Sequence, residues 1–298
     1  MAGTLVSLGA NLGNVHESMR AAKRLLEDSF GSQHLSFSHL YRTAPVGGPD
    51  GQGDFLNAVA AIQTQRSVWD VWDTIKQIET NLGRLRQVRW EARRIDIDLL
   101  LYDQQRIWTP HLKIPHPRMC MRTFVLKPAL EIVPEWIDPV TNWSISKLNE
   151  HLDGSRAVDS IFRVICDSPL QARLLNKEFD RTTGGNQLKV QWDVAVPLVD
   201  PHVRFKFNKP ESMPDMNCKL TIAAVASPDP MTVLWEDFSA PWAEWLNLDS
   251  RKSSAEFIPQ NVVGPRYLMP ANDSRWAIHE IMAAKQAMQC PCEIDGTF

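Results

Sequence analysis

Apolar positions along the first half of the chain change their period several times, and each change marks an element. Thr4–Leu8 ("TLVSL") reads as a short buried strand. "GANLGN" breaks it, and Asn14 or His16 leads into a helix to about Leu26. "HLSFSHLYRT" alternates with period two, which predicts a strand with Leu35 and Phe37 on one face. "FLNAVAAIQTQ" is a longer strand. Between the two lies "APVGGPDGQGD", whose four Gly and two Pro in eleven residues predict a mobile loop. Ser67 followed by Asp70 forms a capping-box pattern, and Val68, Trp72, Ile75, Ile78 and Leu82 then keep helical spacing. "RRIDIDLLLYD" is the next strand and turns at "DQQ" into "RIWT". A proline-marked loop, "IPHPR", precedes a helix from about Met119, and a last helix falls near Ser146–Leu152.

The order β-α-β-β-α-β predicts an α+β class with a ferredoxin-like α/β sandwich over residues 1–152. Beyond about Ser155 the texture changes. A helix is expected around Leu170–Phe179, strands around Lys189–Val194 and Lys219–Ala226, and a helix over Ser274–Met288. Residues 155–298 therefore read as a second α+β domain of unknown type, expected to fold independently.

Composition narrows the function classes more than the fold. The chain of 298 residues is 44% hydrophobic and 22% charged, with a formal net charge of -3. A global field that would gather nucleic acid or an anionic membrane is absent. The N-terminus lacks a basic region followed by an apolar one, and no apolar run is long enough to span a bilayer. The five cysteines are scattered and odd in number, which argues for a reducing, cytoplasmic setting rather than a disulfide framework. Oligomeric state is not legible.

The local charge is informative. Arg84, Arg86, Arg89, Arg93 and Arg94 fall within eleven residues, and Asp96 and Asp98 follow at once. On a strand, residues two apart share a face, so both carboxylates project together. Two such charges repel unless a cation sits between them, and Mg²⁺ takes one or two carboxylates plus substrate phosphates. The alternative is an exposed strand face on which the aspartates pair with the arginines. Planar guanidinium forks suit phosphate oxygens, so arginines and acids together fit a metal-bound triphosphate. Nucleic-acid contact is the alternative for the arginines. The adjacent acids oppose it, and the aromatic signature of an RNA-recognition sheet is missing. "GANLGN" matches neither phosphate-loop pattern and reads as a tight turn. Phe55, Trp90 and Phe124 offer flat rings for stacking on a heterocycle, and Asn57 offers a donor and an acceptor for its amide edge.

"YRTAPVGGPDGQGDFLNAV", "GRLRQVRWEARRIDIDLLLYD" and "IPHPRMCMRTFVLKPALEI" closely resemble the signature segments of the 6-hydroxymethyl-7,8-dihydropterin pyrophosphokinases of folate biosynthesis. The resemblance covers roughly residues 4–152. It implies pyrophosphoryl transfer from ATP to the pterin hydroxymethyl group, with release of AMP. It also implies that Asp96 and Asp98 hold two Mg²⁺ ions and that Arg84 and Arg93 close on the triphosphate during catalysis. Arg86, Arg89, His116 and Arg122 would contact ATP, joined by Lys113, which stands where the family often has a small hydroxyl residue. Thr43, Val46 and Asn57 would bind the pterin edge, Phe55 and Phe124 would enclose its ring, and Trp90 would seal the closed site. Glu91-Ala92 replaces the family's usual Gly-Pro and adds a negative charge to a loop that must approach phosphate. A second reading is a catalytically degenerate relative that works as a binding or scaffold protein through residues 155–298. Retention of the acid pair and the loop arginines opposes it.

Overall fold

The computed structural model describes residues 1–47, 51–83, 94–109, 111–153, 161–166, 169–184, 188–196, 206–207, 218–225, 264–271 and 273–298. Its first unit follows the expected order: β1 (Ala2–Ala10), α1 (Val15–Phe30), β2 (Leu35–Phe37), β3 (Leu40–Thr43), β4 (Phe55–Thr64), α2 (Val68–Asn81) and β5 (Asp96–Tyr102). Two short hairpin strands, β6 (Ile107–Trp108) and β7 (Lys113–Ile114), lead to α3 (Thr123–Ile132). A second small hairpin, β8 (Ile137–Asp138) with β9 (Trp143–Ser144), leads to α4 (Ile145–Asp153). The sheet is antiparallel with β1 between β4 and β5, and β4 between β1 and β3. That is the ferredoxin-like arrangement.

Both helices of the sandwich start where the sequence places them. Asn14 caps α1 by accepting from Glu17 N, and Ser67 and Asp70 form a reciprocal capping box on α2. The alternation of β1 and β4 sends Val6, Leu8, Ala10, Leu56, Ala58, Ala60 and Ile62 to one face of the sheet. There they pack with Met19, Ala22 and Leu26 of α1 and Val71, Ile75 and Ile78 of α2. Each fully buried leucine or isoleucine contributes about 1.5–3 kcal/mol. The opposite face presents Leu5, Val59, Ala61 and Leu101, covered by Val125, Leu126 and Ala129 of α3 and Leu148 and Leu152 of α4.

The expected single strand over residues 34–43 is divided. Phe37 pairs with Ala60 but Tyr41 pairs with Asn57, so three intervening residues on one side oppose two on the other. The extra residue is a bulge at the Ser38 turn, where Ser38 N donates to Val59 O at 3.0 Å and Ser38 Oγ accepts from Val59 N at 3.0 Å. A one-residue shift reverses which face each side chain meets. Leu35 and Phe37 pack on the α1/α2 face, whereas Tyr41 and Thr43 look to the opposite one. The helix expected from Met119 begins instead at Thr123, after a 3-10 turn over Met119–Met121.

The second unit holds β10 (Ile161–Cys166), α5 (Pro169–Thr183), β11 (Lys189–Val196), β12 (Lys206–Phe207), β13 (Cys218–Val225), β14 (Arg266–Pro270) and α6 (Ser274–Gln289). Strands β11, β10, β13 and β14 run parallel in that order, with β12 antiparallel at one edge. Helix α5 supplies the crossover from β10 to β11, as a parallel pair requires. Phe162, Val164, Leu220 and Ile222 share one apolar core with α3 and α4.

The chain then returns to its first sheet. β15 (Glu293–Gly296) pairs antiparallel with β3, Ile294 lying opposite Tyr41. Asp295 bonds Arg42 at 3.0 Å and His16 at 3.2 Å, and Phe298 packs edge-on against Phe37. These contacts cross the division between residues 1–152 and 155–298. Among the described residues no helix is long and apolar enough to cross a membrane.

Candidate active site

The sheet register sets the site. Asn57 on β4 lies opposite Gly9 on β1, and Gly9 lies opposite Asp96 on β5. All three therefore face the same way, toward the α3 side. Asp98 is two residues on from Asp96, and Thr43 pairs with Phe55, two residues before Asn57. One sheet face thus brings together Thr43, Phe55, Asn57, Asp96 and Asp98. Gly9 matters because of what it lacks: a Cβ there would stand 3.3 Å from Asn57 Oδ1. Its bare backbone leaves a trough between the amide and the carboxylates. Asn57 is buried and fixed by donating from Nδ2 to Thr43 Oγ1 at 2.8 Å, which aims its Oδ1 at Gly9.

A second segment reaches the aspartates from the loop between β7 and α3. His116 N donates to Leu100 O at 2.8 Å, which ties the loop to β5. Arg122 Nη1 lies 3.5 Å and His116 Nε2 3.8 Å from Asp98 Oδ2. Burial holds the His116 pKa well below the ordinary imidazole range, and the Arg122 and Arg118 cations push it further down. The neutral ring accepts from Arg118 N at Nδ1, at 3.1 Å, so its proton sits on Nε2 facing the acid pair. His116 Nε2 is thereby left to donate toward Asp98. Burial lowers the Arg122 pKa, and the Asp98 carboxylate opposes that shift. The Arg122 guanidinium also lies 5.5 Å over the Phe124 ring. Lys113 is close enough for its charge to act on His116. Val46 is partly buried in the loop after β3.

Arg84, Arg86, Arg89, Trp90 and Arg93 lie outside the described residues, as does the Glu91-Ala92 departure. Two further residues support the site. Glu79 of α2 is buried and accepts the Ile97 amide at 2.8 Å, between the two aspartates. Strand β5 is the edge of its sheet, so one side of its backbone needs such a partner. The signal in the sequence was a carboxylate directly beside Ile78 on the apolar stripe of α2. Arg118 is the other, one residue beyond the rigid "PHP" and held by groups more than a hundred residues away.

The carboxylate pair suits a divalent cation shared with a ligand. Among the described residues no three or more His, Cys, Asp or Glu side chains gather into a cage. Both aspartates are partly exposed beside the open trough, as fits Mg²⁺ that keeps substrate oxygens among its ligands.

Residues 5–134 match the sequence profile of 7,8-dihydro-6-hydroxymethylpterin-pyrophosphokinase (HPPK). A 2-amino-4-hydroxy-6-hydroxymethyldihydropteridine pyrophosphokinase of Bacillus subtilis is 40% identical over 127 residues, 43% of this chain and 75% of that protein. Its counterpart in Synechocystis is 34% identical over 151 residues, covering 51% and 76%. One from Pseudomonas aeruginosa is 38% identical over 130 residues, covering 44% and 80%. A crystal structure of an HPPK-DHPS in complex with substrates aligns with 68% of this chain and 59% of its own, at 11% identity and a TM-score of 0.40, too low to bear on residues 155–298. On the strength of the profile and of relatives matched over three quarters of their length, the chain belongs to the 7,8-dihydro-6-hydroxymethylpterin-pyrophosphokinase family, whose members are pyrophosphate-transferring enzymes of folate biosynthesis.

Proposed function

We propose that this chain binds 6-hydroxymethyl-7,8-dihydropterin against Thr43, Val46, Phe55, Asn57 and Phe124, with Trp90 closing over it. ATP would lie along Asp96, Asp98, Lys113, His116 and Arg122, with Arg86 and Arg89 as further contacts. The observation that carries the reading is the row Asn57–Gly9–Asp96 across three paired strands. It sets a fixed amide and an acid pair on one face, with only the side-chain-free Gly9 between them, which supports a flat heterocycle lying beside a polyphosphate.

Asp96 and Asp98 would hold Mg²⁺, as two ions, which when bound neutralises phosphate charge and polarises the group being transferred. The chain's own part is placement and charge. Asn57 offers a carbonyl and an amide to the pterin edge, and Phe55 and Phe124 offer ring faces. That orientation points the hydroxymethyl oxygen toward the acid pair. His116 Nε2–H and Arg122 donate to phosphate oxygens beside Asp98, and Arg84 and Arg93 add positive charge as the loop closes. The substrate oxygen forms a bond to the β-phosphorus, the bond from that phosphorus to the α-phosphate bridging oxygen breaks, and AMP departs. The hydroxyl proton passes to solvent.

The test is product identity. Wild-type protein with Mg·ATP and the dihydropterin should release AMP in a one-to-one ratio with pterin diphosphate, read by chromatography. Release of ADP, or AMP formation that does not depend on the pterin, would overturn the reading. Inactivity with intact ligand binding would favour the degenerate relative.

A further inference from the structure

The segment after residue 264 contacts both loops of the proposed site. Arg118 lies in the loop that bears His116 and Arg122. Its Nη2 donates to Glu280 Oε2 of α6 at 2.6 Å, and its Nε and Nη2 donate to the Tyr267 hydroxyl of β14 at 3.2 and 3.1 Å. Tyr267 in turn donates to Glu280 Oε2 at 3.0 Å. Glu280 is 2% exposed and Tyr267 5%. Glu280 Oε1 has no hydrogen-bond partner among the described residues, so the carboxylate is committed through its other oxygen to Arg118 and Tyr267. Five residues beyond Arg118, the Thr123 hydroxyl shares its one proton between Ala287 O at 3.0 Å and Cys290 O at 2.9 Å. Those are carbonyls at the end of α6, which its own helical turns leave unsatisfied. On the pterin side, Gln286 Oε1 of α6 accepts Gly47 N at 3.3 Å, next to Val46.

Resting on the reading under Proposed function, we propose that Glu280 and Tyr267 are positioning residues of the pyrophosphokinase site and that residues 264–298 form part of it. They act through Arg118. A buried guanidinium needs a paired charge. With Glu280 in place, Arg118 is held against α6 and the loop keeps His116 and Arg122 on Asp98. Without that charge, the buried Arg118 cation is left with Asp98, whose charge already acts on it, and it competes with Mg·ATP there. The family profile ends at Pro134, so this clamp is supplied from outside the matched region.

The experiment uses the full chain with Glu280→Gln, Tyr267→Phe and Glu280→Asp. KM for Mg·ATP, KM for the dihydropterin, kcat and Tm are measured, with calorimetric titration of the Mg²⁺ complex of α,β-methylene-ATP. Glu280→Gln should raise KM for Mg·ATP and weaken analogue binding tenfold or more, leaving the dihydropterin KM within twofold. Tyr267→Phe should move the same quantities less, and Glu280→Asp should recover part of the loss. A role confined to packing would lower Tm and the folded fraction while both KM values and analogue affinity stay at wild type, and that result overturns the proposal. Should Glu280→Gln not fold, Tyr267→Phe decides alone, since it removes a single oxygen. Wild-type protein that forms no AMP would refute the reading of the reaction instead, while the analogue titrations still report whether the clamp places the ATP loop.

Discussion

Glu79 offers the cleanest quantitative test of how α2 shapes the acid pair. It is buried at 2% exposure, accepts Ile97 N at 2.8 Å through Oε1, and pairs with Lys76 at 2.8 Å through Oε2. Glu79→Ala strands the Ile97 amide away from water, which costs about 1–3 kcal/mol. Lys76 is about 30% exposed and returns to solvent, so losing the pair adds under about 1 kcal/mol. The expected loss is about 1–4 kcal/mol in urea melts, with the slope unchanged. Glu79→Gln keeps an acceptor oxygen for Ile97 and should lose only about 1 kcal/mol. The Mg²⁺ concentration for half-maximal activity should rise in the alanine variant and stay near wild type in the glutamine one, because Ile97 spaces the two aspartates. Equal destabilisation in both variants would refute the reasoning, since the Lys76 charge would then dominate the backbone bond.

Other expectations follow from the same geometry. Asp98→Ala should abolish AMP release while leaving the thermal midpoint within a few degrees, because a partly exposed group is lost and no core is emptied. Asn57→Leu should raise the dihydropterin KM far more than the Mg·ATP KM, since Asn57 is fixed by Thr43 and faces the Gly9 trough. A thiol hydrogen bond from Cys290 holds the Cys292 pKa below the ordinary thiol range, and burial opposes that shift. Alkylation of Cys292, followed by mass spectrometry, should therefore reach its plateau at lower pH than free cysteine, and Cys290→Ala should move the midpoint back up. A chain ending at Leu152 should be poorly soluble and inactive, because it leaves Thr123, Arg118 and the β3 edge without their partners.

What was legible in the sequence was local. The i, i+2 spacing of Asp96 and Asp98, the capping box at Ser67 and the apolar stripe of α2 each depend on residues within a turn or a pleat of one another. They stand in the structure where the spacing puts them. The face on which Thr43 lies was not legible, because the bulge at Ser38 resets the alternation and a bulge has no fixed signature in "SFSHL". Nor were β10 and β14: "IFRVIC" and "RYLMP" are short apolar runs whose strand character comes from pairing with β13. The clamp on Arg118 was out of reach for the same reason. Nothing near Tyr267 or Glu280 distinguishes them from ordinary core-facing residues until β14 and α6 dock on the loop.

Helix α3 touches both ends of the candidate site. Arg122, just before its first residue, lies against Asp98 on β5. Glu131, near its last, accepts from Tyr41 and from His39 N on the β3 side. The helix therefore crosses the sheet rather than following a strand. Ten helical residues rise about 15 Å. The three strand spacings from β5 through β1 and β4 to β3 span about 14 Å. One element of matching length thus sets Arg122 beside β5 at the sheet edge and Glu131 beside β3, the strand next to β15. Its first residue, Thr123, is the one bonded to the end of α6. The C-terminal segment therefore touches the acid-pair side of the site at two points, Arg118 in the loop and Thr123 at the start of α3.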